Sequence, residues 1–254
     1  MDEHLAAPEN TTLDHLMGGK LLIRQPMTGH RGGTDTMLLA AAAPATSGTL
    51  LDLGAGVGTA GLAVAIRKGC NQLLLVEIQP ALAALAVGNI ALNGLVCRAE
   101  AICADALSAA TRRAAGLVNG MADVVIANPP YLSPGWSKTS PDPSRATAHS
   151  LAEGGIDSWC RAAAALLPPD GRFVMIHRAD FLAEILPSLC GRFGAIEIIP
   201  IHPREGVAAN RIILRATKGS RAPLSILPGI AVHVEAGGFT RHAAALHEGL
   251  DIIA

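Results

Sequence analysis

The sequence predicts one α/β domain with short additions, built on a mostly parallel sheet that carries helices on both faces. Three observations predict this fold. Short apolar runs alternate with longer helical stretches along the 254 residues, which is the pattern of strand-helix-strand units. The runs are apolar throughout, as expected for strands buried on both faces. Several runs end in an acid or an amide, and open α/β sheets bind ligands at those carboxyl ends.

Composition limits the class of protein. Hydrophobic residues make up 50% of the chain and the mean hydropathy is +0.37, but Gly, Pro, Asn or a charge interrupts each apolar run before it reaches membrane-spanning length. The acidic first ten residues lack an export signal, so we expect a cytoplasmic protein. Five scattered cysteines and nine scattered histidines favour reduced, mostly buried thiols and no metal site.

Three regions are expected along the chain. Residues 1–47 form an N-terminal extension with a loop that closes over a ligand, residues 48–219 form the core, and residues 220–254 add a strand and a helix packed on the core. In the extension, Leu21–Gln25 is a possible edge strand and Thr36–Ala43 is a helix. Thr34 and Asp35 either cap this helix or belong to the glycine-rich closing loop.

The first core strand starts at Thr49, ends near Asp52 and leads through a glycine turn into a helix from about Thr59 to Lys68. A glycine turn exposes backbone to a ligand, and the helix N-terminus offers free N–H groups. Asp52 can accept a hydrogen bond from an amine or a hydroxyl, which a dinucleotide site would not require. The turn glycines are Gly54, Gly56 and Gly58, a closer spacing than the dinucleotide pattern, although positions 56, 58 and 61 also fit that pattern.

Acids follow the next two strands. Strand Gln72–Glu77 ends in a carboxylate, and a carboxylate at this position binds the ribose diol in doubly wound folds. The alternative for Glu77 is a charge at the N-terminus of helix Pro80–Leu92. Strand Glu100–Cys103 is followed by Asp105, which either accepts from an adenine amino group or caps the next helix.

The fourth strand carries the most informative segment, MADVVIANPPY, in which Ala122–Ala127 stops abruptly at Asn128. Prolines donate no backbone hydrogen bond, and Pro129 restricts Asn128 to extended geometry, so the loop presents acceptor oxygens. An ordinary proline turn is the alternative. Tyr131 is the only tyrosine in the chain and follows Pro130 at the place where a flat substrate needs a ring to stack on.

The remaining elements complete the sheet. A Pro-, Ser- and Thr-rich loop over Leu132–Ser150 contains Trp136, and a loop of this length beside a site is either functional or disordered. The two last core strands can pair antiparallel. The predicted elements after the loop are helix Ile156–Leu167, strand Arg172–His177, helix Ala179–Cys190, strands Ala195–Ile201 and Arg211–Ala216, strand Ile230–Val234 and helix Arg241–Gly249.

One basic stretch is a candidate contact for nucleic acid. The net charge of the chain is −1, so any RNA affinity must come from a local patch. Between His202 and Arg221 the cations exceed the single acid, Glu205, by four. The alternative is a solvated strand pair with ordinary surface charges. The cations are Arg204, Arg211, Arg215, Lys218 and Arg221.

Four segments together resemble a known family. LLDLGAGVG, VEIQP, ADAL and ANPPY are similar to the S-adenosylmethionine-dependent methyltransferases with a Rossmann-like seven-stranded sheet, in particular the Asn-Pro-Pro-Tyr group that methylates amino or amide nitrogens. GHRGGTDTMLLAAAAP and HPREGVAANRIIL further resemble bacterial tRNA adenine-N6 methyltransferases that act on valine tRNA. The resemblance covers nearly the whole chain.

The resemblance implies S-adenosyl-L-methionine as cofactor and the exocyclic N6 of an adenine in tRNA as the methyl acceptor. It implies that the Asn128 side chain and the Pro129 carbonyl accept the amine hydrogens and that Tyr131 stacks on the base. The implied cofactor residues are Asp52, Gly54, Gly56, Gly58, Glu77 and Asp105, with Thr34 and Asp35 near the methionine end. The candidate substrate contacts are Pro130, Trp136, Arg204 and Arg211.

Other functions stay open at this point. A protein glutamine N5-methyltransferase would use the same acceptors, although the 48 residues before Thr49 leave little room for a separate recognition domain. A non-catalytic nucleotide-binding protein of the same fold is a second alternative, and a dinucleotide oxidoreductase is a third. No membrane partner is expected, and the oligomeric state is not predicted.

Overall fold

A computed structural model describes residues 10–28, 31–131 and 155–253. The strands are β1 Thr11–Leu16, β2 Leu21–Pro26, β3 Thr49–Leu53, β4 Gln72–Glu77, β5 Ala99–Cys103, β6 Val124–Ala127, β7 Arg172–Arg178, β8 Phe193–Arg204, β9 Arg211–Lys218, β10 Ser225–Ile226 and β11 Ile230–His233. The α-helices are α1 Thr34–Ala42, α2 Thr59–Arg67, α3 Pro80–Leu92, α4 Ala109–Ala114, α5 Gly155–Leu166, α6 Leu182–Leu189 and α7 Arg241–His247.

The central sheet is mostly parallel, as predicted. Its order is β10-β8-β9-β7-β6-β3-β4-β5, and β11 also pairs with β8. Strand β9 runs antiparallel to both of its neighbours, β7 and β8, while β3 to β7 pair in parallel. The seven strands β3 to β9 are the predicted core sheet, and β10 and β11 extend it beyond β8. The strand order reverses between β3 and β6, and ligands bind in the crevice at such a reversal.

Hydrophobic cores lie on both faces of the sheet. Successive residues of a strand point to opposite faces, so Leu50 packs with α1 and α2, whereas Leu51 packs with α5. Val124 and Val125 of β6 divide in the same way between the two cores. This two-sided burial explains why the strands read as continuous apolar runs in the sequence.

The N-terminal strands form a separate hairpin. β2 pairs with β1 and not with the central sheet, so the expectation of an edge strand at Leu21–Gln25 was wrong. Asn89 of α3 and Asn93, the C-cap of α3, hold this hairpin: the Asn89 Oδ1 accepts from Arg24 N at 2.8 Å, and the Asn93 Oδ1 accepts from Leu22 N at 3.0 Å. Asn89 also donates to the Val57 carbonyl at 2.9 Å, which ties the hairpin to the glycine turn.

Three local expectations are corrected. α1 begins at Thr34 with Gly33 at its N-cap and no side-chain cap, so Thr34 and Asp35 do not cap it. The helix predicted over Ala179–Cys190 starts as a 3-10 turn, Ala179–Phe181, before α6. Of the five cysteines, only Cys70 and Cys160 are buried, so the thiols are not mostly buried.

Within the described ranges, no helix combines the length and the apolar character needed to cross a bilayer, and no three potential ligand side chains gather as a metal site. The predicted loop over Leu132–Ser150, with Trp136, lies outside the described residues. The division into an N-terminal extension, a core and a C-terminal addition stays a prediction.

Replacing Asn89 by Ala should weaken the fold by about 2 kcal/mol, because it leaves the backbone groups of Arg24 and the Val57 carbonyl without partners in a buried place. Urea unfolding measures the loss. Asn71→Ala is the matched control, since Asn71 is exposed, and should leave the midpoint almost unchanged. Equal midpoints for the two variants would contradict the bridging role of Asn89.

Candidate active site

The site lies at the carboxyl ends of β3 and β6, which are neighbours in the sheet. Leu53 of β3 pairs with Ala127 of β6. The glycine turn begins at Gly54 and the proline loop begins at Asn128, so the two segments leave the sheet side by side. The register of one strand pair therefore brings the two main sequence motifs together.

The glycine turn is packed tightly on one side and open on the other. At Gly54 the backbone is left-handed, with φ +73°, and an added Cβ would lie 2.6 Å from the Trp159 ring. At Gly58, with φ +88°, a Cβ would lie 2.6 Å from Leu75. At Gly56 an added Cβ would meet nothing within 4 Å. The open backbone at Gly56 is the surface against which a ligand can lie.

Glu77 joins the turn to the next helix. Its Oε2 accepts from Gly56 N and its Oε1 accepts from Gln79 N, each at 2.8 Å. Gln79 is the N-cap of α3, so Glu77 places its charge at this helix N-terminus, which is the alternative role predicted for it. Each carboxylate oxygen has a further lone pair, so the structure leaves room for the ribose role, which stays a prediction.

Asp52 is almost completely buried, with 2% exposure. Its Oδ2 accepts from Gly61 N at 2.8 Å, in the first turns of α2. Burial raises the pKa of Asp52, the hydrogen bond from Gly61 N lowers it and the neighbouring Glu77 carboxylate raises it, with a net pKa of about 7. The contact to an amine or hydroxyl ligand stays a prediction.

Asp105 does not cap α4. The helix begins at Ala109, four residues after Asp105, and its N-cap is Ser108, whose hydroxyl oxygen accepts from Thr111 N. The Asp105 Oδ1 instead accepts from Leu107 N at 2.9 Å, a short local turn. Of the two alternatives from the sequence, the adenine contact is the one that remains.

The proline loop is held by residues from distant segments. Tyr131 Oη lies 2.8 Å from Asn128 Oδ1 and 3.0 Å from Asp35 Oδ2. Arg211 Nε donates to the same Asp35 oxygen at 3.0 Å. The Arg211 guanidinium lies over the Tyr131 ring, 4.7 Å from its centroid. Asp35 and Arg211 thus surround the tyrosine on which the expected chemistry depends.

His177, which sequence reasoning missed, completes the surroundings of Tyr131. Its ring meets the Tyr131 ring edge-on, with centroids 5.1 Å apart, and Phe181 packs on it at 4.8 Å. His177 is 3% exposed. Burial, together with the charges of Arg178 and Arg211, lowers its pKa to about 4, so the imidazole is neutral at neutral pH. No motif signalled this residue, since it ends an ordinary apolar strand.

The basic stretch does not form one patch. From Arg211 to Lys218, β9 extends for about 23 Å, so the cations at the two ends of this strand lie far apart. Arg215 pairs with Glu197 at 2.7 Å, and the Lys218 ammonium donates to the Leu167 carbonyl. Arg204 lies exposed at the end of β8, on the same edge as Arg211. Of the two alternatives from the sequence, the structure favours a strand pair with ordinary surface charges over one continuous patch, and Arg204 and Arg211 are the two cations at the site edge.

Comparison with known proteins identifies the family of the chain. The model of the methyltransferase small domain matches residues 32–201. The chain belongs to the methyltransferase small domain family. The matched range begins just before α1 and ends in β8, so the family domain includes the glycine turn, the proline loop and Asp35.

Two relatives carry the name tRNA1(Val) (adenine(37)-N6)-methyltransferase. The one from Aeromonas hydrophila is 33% identical over 192 residues, covering 74% of this chain and 76% of the relative. The one from a Flavobacteriaceae bacterium is 28% identical over 158 residues, covering 62% of this chain and 63% of the relative. The match to this second relative therefore spans less than two thirds of its length.

A solved structure shares the fold. The protein Atu636 from Agrobacterium tumefaciens, described as a predicted O-methyltransferase, is 32% identical, with a TM-score of 0.72. The alignment covers 87% of this chain and 98% of that chain. The mostly parallel sheet and the helix layers are thus those of a methyltransferase.

Proposed function

We propose that this chain is an S-adenosylmethionine-dependent N-methyltransferase and that its acceptor is the N6 amino group of an adenine in tRNA. The observation that carries the proposal is the position of the Asn128 amide and the Tyr131 ring beside the glycine turn. The names of the relatives that match most of the chain support the choice of tRNA.

The cofactor would lie along the crevice between the glycine turn and β4. The open backbone at Gly56, beside the N-terminus of α2, suits the close approach of a ligand. Glu77 at the end of β4 would hold the ribose, and Asp105 after β5 would accept from the adenine amino group. Asp52 lies beneath the turn, where its carboxylate favours the positive end of the cofactor. The cofactor supplies an electrophilic methyl group on a sulfonium sulfur.

The chemistry then depends on how the protein holds the acceptor nitrogen. The lone pair of an adenine amino group is delocalised into the ring, which makes the nitrogen a poor nucleophile. If Asn128 Oδ1 and the Pro129 carbonyl each accept one N–H, the nitrogen is held pyramidal, with its lone pair directed at the methyl group. Tyr131 would hold the plane of the base by stacking, worth about 1–3 kcal/mol. The amine proton can leave from the cationic product, so no base is required.

Two hydrogen-bond acceptors at the site favour a nitrogen over an oxygen as the atom that receives the methyl group. An amino group carries two hydrogens for two acceptors, whereas a hydroxyl group carries one and would leave one of the two oxygens without a hydrogen from the substrate. For this reason we assign N-methylation here, although the Agrobacterium protein is described as a predicted O-methyltransferase. The same pair of acceptors also fits a glutamine amide, so the acceptor loop alone does not choose between RNA and protein.

The substrate class is argued from the rest of the chain. Residues 10–28 and 31–48 contain the hairpin β1–β2 and α1, and a relative that matches 74% of the chain is named as a tRNA adenine-N6 methyltransferase. Arg204 lies exposed at the site edge, where it would contact an RNA phosphate. Trp136 and Pro130 are further proposed substrate contacts.

Incubation with labelled S-adenosylmethionine tests both the chemistry and the substrate. We expect label in total tRNA, recovered after nuclease digestion as N6-methyladenosine, and none in an added release factor. Asn128→Ala should reduce transfer by about 100-fold or more, the cost of losing one preorganised partner of the reacting group. Asn71→Ala is the control. Label confined to protein would overturn the tRNA assignment, and full activity of Asn128→Ala would overturn the catalytic one.

Cofactor binding should release a proton through Asp52. The folded pKa of Asp52 is raised to about 7, so at about pH 6 the group holds its proton, and a positively charged ligand favours the ionised carboxylate. Calorimetric titration in buffers of different ionisation enthalpy should detect the release at about pH 6 but not at about pH 8, where the group is already ionised. Asp52→Asn should abolish it. The same proton release from the Asn variant would contradict this role.

A further inference from the structure

Four side chains from three distant segments form one connected group, which we call the phenol network: Arg211, Asp35, Tyr131 and Asn128. The contact from Asp35 to Tyr131 spans 96 residues of sequence, and that from Arg211 to Asp35 spans 176 residues. The network connects the start of α1, the proline loop and the first residue of β9. All three segments meet at the edge where the acceptor amine would bind.

The phenol cannot donate to both of its neighbours at once. Tyr131 has one hydroxyl proton, but Asn128 Oδ1 lies at 2.8 Å and Asp35 Oδ2 at 3.0 Å. When the phenol donates to Asn128, it takes one of the two lone pairs of the oxygen that the proposed chemistry needs for the amine, and it holds that oxygen turned toward Tyr131. When it donates to Asp35, that oxygen is left for the substrate. The phenol can then accept from the Asn128 amide N–H after rotation of the amide, which turns Oδ1 away from Tyr131.

Arg211 fixes the other two members of the network. Its Nε donates to Asp35 Oδ2 at 3.0 Å, which keeps the carboxylate directed at Tyr131. Its guanidinium covers one face of the Tyr131 ring at 4.7 Å, a cation-π contact. His177 contacts the ring edge. The opposite face of the ring is then the one on which a flat acceptor stacks.

The loop before α1 holds Asp35 in place. Gly32 N donates to Gln25 Oε1 at 2.9 Å, and the Arg31 guanidinium donates to the Pro26 carbonyl at 2.7 Å. An added Cβ at Gly32 would lie 2.7 Å from Thr59 Oγ1, so this loop also packs against α2. The hairpin thus fixes the start of the helix that carries Asp35.

We propose that Asp35 and Arg211 are positioning residues. Asp35 accepts the hydrogen bond of the Tyr131 hydroxyl, so that the Asn128 oxygen remains available to the amine. Arg211 holds both the Asp35 carboxylate and the Tyr131 ring in place. The kinetic part of this inference rests on the proposed function. It differs from the sequence expectations, which assigned Asp35 to the cofactor and Arg211 to RNA.

A double-mutant cycle tests the proposal by kinetics. Asp35→Ala should lower kcat by roughly 10- to 100-fold, the scale of a misplaced reacting group, with the KM for S-adenosylmethionine unchanged. Tyr131→Phe keeps the ring but removes the competing hydroxyl, so Asp35→Ala should have no further effect in that background. Asp35→Asn should restore part of the activity. Arg211→Lys, which loses the planar contact, should also lower kcat.

Glu197→Ala is the matched control, because it removes the carboxylate partner of Arg215 on the same strand as Arg211, away from Tyr131. It should leave kcat unchanged. Equal losses from Asp35→Ala in both backgrounds, with a raised KM for the cofactor, would overturn the inference in favour of a cofactor ligand. If Arg211→Lys changed only the KM for tRNA and its salt dependence, and not kcat, the proposed positioning role of Arg211 would be overturned.

A second readout needs no substrate. Since Tyr131 is the only tyrosine, its ionisation can be followed in the full chain by ultraviolet absorbance. Burial and the Asp35 carboxylate raise the pKa of Tyr131, and Arg211 lowers it. Asp35→Ala should therefore lower the pH of ionisation, and Arg211→Met should raise it, while Glu197→Ala should have no effect. Unchanged ionisation in the first two variants would overturn the network.

The two readouts separate the two proposals. If no RNA or protein accepts methyl groups but the phenol shifts as expected, the proposed function fails and the network stands. If methyl transfer occurs but the cycle is additive and the phenol does not shift, the network fails and the proposed function stands.

Discussion

The parallel pairing of β3 with β6 is the constraint on which the site depends. It places Leu53 opposite Ala127, so the residues that follow each strand, Gly54 and Asn128, emerge at one edge of the sheet. A shift of this register by one residue would turn the buried side chains of both strands to the wrong face. The two-sided hydrophobic core therefore fixes the relative position of the glycine turn and the acceptor loop.

Around the strands β3 and β6, buried polar side chains hold backbone segments together through hydrogen bonds. Asp52 and Glu77 accept from the backbone N–H groups of Gly61 and Gly56 respectively, so both carboxylates hold the glycine turn in shape. Asn89 binds the backbone of β2 and of the turn. The same groups thus stabilise the fold and define the candidate cofactor site, because buried polar atoms need partners whether or not a ligand is present.

Much of this could be predicted from the sequence because it is local. The strand Gln72–Glu77 and the helix Pro80–Leu92 have the predicted bounds, since apolar runs and a proline at the first helical position mark them directly. Asp52, Glu77 and Asn128 could be proposed as site residues because strand ends bind ligands in this class of fold, and their contacts with a ligand stay predictions. The sequence left two roles open for Asp105, because no periodicity reveals the short turn before α4.

The residues around Tyr131 could not be predicted in this way. Asp35 and Arg211 are distant from it in the chain, and His177 lies in an ordinary apolar strand. Their roles arise from the order of the strands: β9 runs antiparallel, so its first residue lies at the edge where the parallel strands end. The basic stretch failed as a patch for the same reason, since an extended strand separates charges that are close in sequence.

The central claim is that one crevice brings a sulfonium donor to an amine held at Asn128 and Tyr131. A crystal structure with S-adenosylhomocysteine and an adenine-containing RNA oligonucleotide tests it most directly. The account predicts the ribose on Glu77, the sulfur facing the Asn128 amide and the adenine stacked on the Tyr131 face opposite Arg211. A cofactor bound away from the glycine turn, or an adenine on the guanidinium side of the ring, would contradict it.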